Sequence, residues 1–289
     1  MRLLSFDKDG APAIGIGRAD GGTVDLSVAA PDLPRDMAAL LAGGAAALAA
    51  AARAAEGAGT DAVLAGEIDY LPPVPRPGKI VCVGLNYRDH AAETDRPPPE
   101  FPVLFARFAT TLVGHRHPLR LPKLSDQFDY EGELVAVIGK PGRHIAEADA
   151  LDHVAGYSIF NEGSVRDYQT GRGPQWTLGK NFDASGGFGP HIVTADELPP
   201  GAAGLRLRTR LNGAVMQDAT TDQMIFPIPR VIAAITEAMS LAPGDLIVTG
   251  TPAGVGFART PPVFLRAGDV CEIEIEGIGT LVNPVAAEE

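Results

Sequence analysis

The chain has 289 residues and a formal net charge of −12, from 24 basic against 36 acidic residues, without a run of Lys or Arg. This balance predicts no nucleic-acid partner and no membrane partner, although a few clustered cations can still bind a small anionic substrate. No apolar stretch reaches the ~18 residues of a membrane span. Cys82 and Cys271 lack metal-binding spacing, so we expect a reduced, cytoplasmic protein. We also expect no secretory signal.

The N-terminal segment has a composition of its own. Up to residue 28, short apolar runs alternate with the turn signals Asp9-Gly10 and Asp20-Gly21-Gly22, which predicts short antiparallel strands. Residues 36–56 are rich in Ala and Leu and favour helix, which Gly43-Gly44 can split in two. A stiff, proline-rich segment follows at residues 72–77. We therefore predict a small N-terminal domain of residues 1–72 and a main domain of residues 73–289.

The main domain begins with a buried strand at residues 79–84. Asn86 is a plausible N-cap for a short helix that ends near Glu93. On this helix His90 and Glu93 are three residues apart, so their side chains share one face and can contact each other.

The stretch at residues 128–139 combines two carboxylates with an apolar, β-branched run and predicts a strand. Side chains alternate along a strand, which places Glu131 and Glu133 on one face about 7 Å apart. Such a pair can bind a hard cation through its carboxylate oxygens. It can equally be the solvated acidic face of an edge strand. These residues alone leave both interpretations open.

The second half of the chain contains more strand signals than helix signals. One amphipathic helix is predicted at residues 229–239, and Trp176 lies near Lys180 in a turn flanked by glycine. Strands and hairpins are predicted at residues 154–160, 205–217 around Asn212-Gly213, 245–256 and 269–283. Many strands without regular strand–helix alternation predict an α+β fold with a mixed or largely antiparallel sheet.

Six motifs in this order resemble the fumarylacetoacetate hydrolase family, in particular its acylpyruvase and 2-hydroxyhepta-2,4-diene-1,7-dioate isomerase branch. They are GLNYRDHAAE, FDYEGELVAVIGK, GYSIFNEGSVRDYQ, QWTLGKNFD, LNGAVMQDATTDQMIFPIPRVI and GDLIVTGTPAGVG, within residues 79–284. The resemblance implies a mixed β-sandwich roll with a small N-terminal α+β domain. It also implies a homodimer and one divalent cation per subunit, Mg²⁺ or Mn²⁺, which Ca²⁺ can replace in crystals.

The resemblance also assigns roles to individual residues. It implies metal binding by Glu131, Glu133 and Glu162, catalysis by His90, Glu93 and Lys180, and substrate binding by Arg107, Arg166, Gln169 and Thr251. Two positions depart from the family pattern. Many members have Asp where this chain has Glu162, and the extra methylene leaves direct, water-mediated or no ligation open. Members often have Lys where this chain has Arg107, which changes the geometry of the donor but keeps its charge.

The implied chemistry centres on a small anionic 2-oxo acid. Our first hypothesis is hydrolysis of a C–C bond in a 2,4-dioxo acid, of acylpyruvate or fumarylacetoacetate type, through a metal-bound pyruvate enolate, as in the catabolism of aromatic compounds. A second hypothesis is an isomerase, an oxaloacetate decarboxylase or a hydratase that acts on a 2-oxo or 2-hydroxydienoic acid. A third is a binding scaffold that has lost catalysis, which Glu162 would permit.

Overall fold

The structure is a computed structural model that describes residues 1–18, 20–94 and 96–289. Its strands are, in chain order, β1 Arg2–Lys8, β2 Ala11–Gly17, β3 Thr23–Asp25, β4 Tyr70–Leu71, β5 Ile80–Gly84, β6 Val103–Arg107, β7 Leu112–Val113, β8 Leu119–Leu121, β9 Phe128–Asp129, β10 Gly132–Ile138, β11 Val154–Glu162, β12 Ser164–Val165, β13 Gly186–Thr194, β14 Arg206–Leu211, β15 Ala214–Thr220, β16 Leu246–Val248, β17 Val270–Ile275 and β18 Gly279–Ala287.

Helices are fewer and mostly short. The α-helices are α1 Leu26–Ala29, α2 Met37–Ala42, α3 Gly44–Glu56, α4 Arg88–Glu93, α5 Arg166–Thr170, α6 Thr177–Lys180 and α7 Ile228–Ala238. Short 3₁₀ helices lie at Thr60–Ala62, Ala109–Thr111, Glu147–His153, Ala195–Glu197, Pro200–Ala202, Thr221–Gln223 and Gly256–Ala258. Within the described residues, no helix is long and apolar enough to cross a membrane.

One large mixed sheet organises the molecule. Its strand order is β3-β2-β1-β13-β11-β10-β16-β5-β6, with β4 added to β1 and β7 added to β13. A second sheet has the order β15-β14-β17-β18-β8, and β9 pairs with β12 on its own. Both antiparallel and parallel pairs occur, since β10 runs antiparallel to β11 whereas β16 runs parallel to β5. The fold is therefore the α+β, mixed β-sandwich roll that the resemblance implies.

Strand β10 is buried on both faces because it separates two apolar cores. Its alternate residues Leu134, Ala136 and Ile138 belong to the core shared with the second sheet and with α7. The intervening Val135 and Val137 belong to the core shared with α2 and α3. The interpretation of this stretch as a solvated edge strand is therefore wrong, since β10 lies between β11 and β16 inside the sheet.

Several local predictions are confirmed. The Ala-rich helix divides at Gly43 into α2 and α3, and the Asp36 carboxylate accepts a hydrogen bond from the Ala39 N–H as its N-cap. Strands β14 and β15 form the hairpin around Asn212-Gly213, where both residues have positive φ. Helix α7 covers the predicted amphipathic segment to within one residue at each end.

The predicted capping role of Asn86 is wrong. Tyr87 occupies the N-cap of α4, without a capping side-chain hydrogen bond. The Asn86 amide instead donates to the carbonyl oxygens of Phe226 and Thr249, and its Oδ1 accepts from the Phe226 N–H. This buried side chain therefore ties the start of α4 to two distant segments.

The N-terminal segment adds strands to the main sheet. Strand β1 pairs with β13 through Arg2 and Leu3, and it also pairs with β2 and β4. Helices α2 and α3 pack against one face of this sheet and share an apolar core with it. A division into domains 1–72 and 73–289 stays a prediction.

A buried histidine gives the fold a predicted pH dependence. Burial, followed by the charges of Arg116 and His191, lowers the pKa of His115 to about 4. Its Nδ1 atom accepts a hydrogen bond from the Val282 N–H at 3.1 Å, which requires the neutral ring. Below pH 6.5 the unfolded chain binds a proton that the folded chain excludes, so the free energy of unfolding should fall by about 2 kcal/mol between pH 7.5 and 5 through this residue.

Urea unfolding at both pH values measures this contribution. His115→Asn removes the titrating group and should reduce the loss of stability by about 2 kcal/mol. His144→Asn is the matched control, because His144 is exposed and has a positive φ that Asn tolerates. An equal loss in wild type and His115→Asn would contradict the assignment.

Candidate active site

Three carboxylates converge at the end of the two central strands. Glu131 directly precedes β10, Glu133 lies within it, and Glu162 is the last residue of β11. The Glu162 N–H donates to the Glu131 carbonyl oxygen at 2.8 Å, which fixes the two backbones side by side. One carboxylate oxygen from each residue lies within 4.8 Å of the others, and all three side chains are buried.

Lys180 balances part of this negative charge. Its Nζ atom donates to Glu131 Oε2 at 2.8 Å and to Glu162 Oε2 at 3.0 Å, and the residue is 2% exposed. Burial alone would raise the pKa of Glu131, but the charges of Lys180 and Arg166 hold it well below its usual range. Burial, and then the charges of Glu162 and Glu131, raise the pKa of Glu133 well above its usual range.

The donor set fits a divalent cation. All three groups offer carboxylate oxygens, which hard cations such as Mg²⁺, Mn²⁺ and Ca²⁺ prefer. The buried Glu162 Oε1 atom has no hydrogen-bond partner, and Arg107 Nη1 lies 4.0 Å from it. A buried carboxylate oxygen without a partner costs free energy unless a ligand binds to it. Glu162 therefore lies where a third ligand is needed, despite its longer side chain.

His90 and Glu93 form the expected pair on α4. His90 Nδ1 lies 2.7 Å from Glu93 Oε1, and Glu93 Oε2 accepts a hydrogen bond from the Gly254 N–H at 2.9 Å. Gly254 has φ +104°, and a Cβ there would lie 2.1 Å from the Met216 carbonyl oxygen, so only glycine suits this turn. With Nδ1–H donated to Glu93, the His90 Nε2 atom is free to act as a base.

Arg166 and Gln169 meet on α5, where Arg166 Nη1 donates to Gln169 Oε1 at 2.8 Å. Arg166 Nη1 also lies 2.7 Å from Glu131 Oε1. The Thr251 hydroxyl lines the same cavity but donates to the Gly132 carbonyl oxygen and accepts from Gln217 Nε2. These residues are therefore near the carboxylates, and a role for each in substrate binding stays a prediction.

Arg107 lies next to Glu162, with its Nη1 atom 4.0 Å from Glu162 Oε1. Its guanidinium is buried behind Glu162, donates to the Gly163 carbonyl oxygen at 3.0 Å and to Ser185 Oγ at 2.6 Å, and does not line the cavity. This geometry suits support of the Glu162 loop, and a role for Arg107 in substrate binding stays a prediction.

Two further residues organise the site without a recognised signal in the sequence. The fully buried Asp129 carboxylate accepts from Arg166 Nε and from the N–H groups of Gly256 and Phe257. The Gln217 amide joins the Gly132 N–H to Thr251. The partners named here are more than 30 positions away from each residue, so local patterns do not reveal these contacts. Asp129 does stand inside the FDYEGE motif, which is the one available hint.

A small cavity of about 90 Å³ lies at the carboxylate cluster. Its walls include the three carboxylates, Lys180 and His90, and its remaining lining is partly aromatic. A volume of this size holds several water molecules or one small acid. The site thus combines a hard-cation ligand set, one candidate base and one buried ammonium in a space suited to a small anion.

The comparisons with known proteins agree with this geometry. Residues 79–286 match the family model described as the C-terminal domain of fumarylacetoacetate (FAA) hydrolase. An oxaloacetate tautomerase from Xenopus laevis, named as mitochondrial, is 42% identical over 99% of this chain and 90% of that protein.

Two solved structures share the whole fold. The fumarylacetoacetate hydrolase from psychrophilic Exiguobacterium antarcticum has a TM-score of 0.85 and 35% identity, with 100% of both chains covered. Maleylpyruvate hydrolase from Sphingobium sp., solved with manganese(II) and pyruvate, has a TM-score of 0.82 and 28% identity, again with 100% of both chains covered.

One sequence-based expectation is overturned by these comparisons. The cysteine usage and the N-terminal residues favoured a cytoplasmic protein, whereas the relative from Xenopus laevis is named as mitochondrial. Reduced cysteines do not separate the two locations, because they fit any compartment that keeps thiols reduced.

Proposed function

This chain belongs to the fumarylacetoacetate hydrolase family of enzymes, and we propose that it catalyses keto–enol tautomerisation of a small 2-oxo acid, with oxaloacetate as the first candidate substrate. The observation that carries the proposal is the pairing of one base, His90, with a buried ammonium, Lys180, at the carboxylate cluster in a small cavity. Tautomerisation needs only a base beside the substrate carbon and positive charge beside its keto oxygen.

The reaction follows from the positions of the side chains. His90 Nε2 removes a proton from C3 of the acid, the electron pair forms the C2–C3 double bond, and the keto oxygen becomes negative. Glu93 accepts the Nδ1–H bond and stabilises the imidazolium that results. Two of the three N–H groups of Lys180 bind Glu131 and Glu162, which leaves the third for the developing oxyanion. That oxygen takes a proton from solvent to complete the enol, and the His90 imidazolium releases its proton to solvent. The reverse steps give the ketone.

Metal dependence is part of the proposal. Glu131, Glu133 and Glu162 would hold Mg²⁺ or Mn²⁺, which when bound supplies Lewis-acid stabilisation of negative charge on a substrate oxygen. The acid's own carboxylate is then held by Arg166, Gln169 and the turn at Thr251, which line the cavity beside the carboxylates. Assembly into a homodimer stays a prediction.

Isomerisation has more support than the C–C hydrolysis that we expected first. The cavity is small, and the relative at 42% identity is named as an oxaloacetate tautomerase. Hydrolysis is the second candidate function, because the His90–Glu93 pair can also activate water and because maleylpyruvate hydrolase shares the fold. Decarboxylation of oxaloacetate would use the same positive charge near the keto oxygen.

One substrate panel tests the assignment. Enol–keto conversion of oxaloacetate, followed by the ultraviolet absorbance of the enol, should be accelerated by catalytic amounts of the protein with Mg²⁺ or Mn²⁺. A chelator should abolish the acceleration, and added metal should restore it. Acylpyruvates and hydroxymuconate-type acids are assayed in parallel, and pyruvate release reports decarboxylation. Cleavage of an acylpyruvate without faster conversion of oxaloacetate would overturn the proposal in favour of hydrolysis.

A further inference from the structure

The cavity has a second end that the proposed chemistry does not use. From the carboxylates its wall continues through three side chains in contact. Lys180 Nζ lies 5.3 Å from the centre of the Phe105 ring, and the Phe105 and Trp176 rings meet edge to face with centroids 5.3 Å apart. The guanidinium carbon of Arg96 then lies 5.8 Å from the centre of the Trp176 ring. One aromatic wall therefore leads from the reaction centre to a cation.

The Trp176 ring is held in place by the absence of a side chain at Gly84. A Cβ at position 84 would lie 2.3 Å from Trp176 Cζ3, so the ring rests directly on the backbone at the end of β5. Arg96 is anchored at its backbone, where its N–H donates to the Ala91 carbonyl oxygen at 3.0 Å. A fixed ring under the guanidinium restricts where this exposed charge can lie.

The charges that line the cavity leave Arg96 available for an anion. Arg166 and Lys180 are both in ion pairs with the carboxylate cluster. Within the ranges 1–18, 20–94 and 96–289, no carboxylate forms an ion pair with Arg96, which nevertheless lines the cavity. An arginine fork at this position matches the two oxygens of a carboxylate.

We propose that Arg96, supported by Trp176, binds the second carboxylate of a 2-oxo dicarboxylic acid and so makes this site selective for diacids over monoacids. The proposal rests on the proposed function for the orientation of the acid, whose first carboxylate and keto oxygen face the reaction centre. Its distal carboxylate then extends along the Phe105–Trp176 wall to the cavity opening. Arg96 is thus a specificity residue, and it takes no part in proton transfer.

Binding measurements separate this proposal from the proposed function. Malate and lactate are unreactive 2-hydroxy acids that differ by the second carboxylate, and calorimetry in the presence of Mn²⁺ gives their affinities. Wild type should bind malate about tenfold more tightly than lactate. This is the gain in affinity expected from one charge-assisted hydrogen bond at a position that solvent partly screens. Arg96→Ala should remove this preference, and Arg96→Lys should keep part of it.

The chain provides a matched control. Arg172 also lies over an aromatic ring, with its guanidinium carbon 3.9 Å from the centre of Tyr168, but it does not line the cavity. Arg172→Ala should therefore keep the preference for malate. A preference that persists in Arg96→Ala, or that is absent in wild type, would overturn the proposal.

Kinetics on oxaloacetate provide the second readout. Arg96→Ala should raise KM about tenfold and change kcat less than about twofold, because the contact is made equally in the ground state and the transition state. An unchanged KM contradicts the proposal even if the tautomerase activity is confirmed. If wild type does not tautomerise oxaloacetate but Arg96→Ala still loses its preference for malate, the role of Arg96 stands and the proposed reaction fails.

Discussion

Lys180→Met should lower turnover roughly 10²- to 10³-fold, the usual effect of removing one donor to a developing oxyanion. The same change should tighten cation binding, because it removes a positive charge that lies 2.8 Å from Glu131 and 3.0 Å from Glu162. Without a cation, the variant keeps three buried carboxylates and loses their principal counter-charge. The metal-free protein should therefore lose about 3–5 kcal/mol of stability, as for other broken buried ion pairs.

Titration with Mn²⁺, followed by calorimetry, and thermal melting with and without Mn²⁺ measure both effects. Lys79→Met is the matched control, because Lys79 pairs at 2.7 Å with Asp245, which is 1% exposed and lies outside the cavity. It should lower stability and leave cation affinity unchanged. Weaker cation binding in Lys180→Met, or turnover like that of wild type, would contradict the role given to this lysine.

His90→Ala should lower turnover by about 10²- to 10⁴-fold, the range for loss of a general base. Cation affinity should not change, because His90 contacts Glu93 and none of the three carboxylates that would hold the cation. Glu93→Gln should give a smaller loss, since the amide oxygen can still accept from His90 while the charge that stabilises the imidazolium is gone.

Exchange of the C3 protons of a 2-oxo acid with D₂O, observed by NMR, measures the proton transfer itself. His90→Ala should abolish the catalysed exchange. Mn²⁺ titration of the same variant provides the control for an intact site. If the variant loses cation binding together with exchange, His90 has a structural role and the base must be sought elsewhere.

Local sequence patterns predicted those parts of the fold whose partners are close in the chain. The split of α2 from α3 and the hairpin at Asn212-Gly213 depend on glycine and turn geometry within a few residues. Asn86 shows the limit of such patterns. Its position suits an N-cap of α4. The side chain instead donates hydrogen bonds to Phe226 and Thr249, which are more than 130 positions away.

The acidic stretch could not be interpreted from its own residues for the same reason. Whether Glu131 and Glu133 face solvent depends on the pairing of β10 with β11 and β16, which come later in the sequence. The resemblance supplied this missing information for the residues whose motifs matched. It did not reveal Asp129 and Gln217, whose side chains bond to remote backbone groups. For Arg107, a shared charge type did not determine whether the side chain lines the cavity.

The turn at residues 250–257 contacts three carboxylates in and around the reaction centre through its backbone. Its N–H groups bind Glu133 from Gly250, Glu93 from Gly254 and Asp129 from Gly256. Side chains at the Arg96 end of the cavity make none of these bonds. Directed evolution toward other acids should therefore succeed with libraries at Thr94, Arg96 and Trp176, whereas libraries in the turn should yield mostly inactive clones.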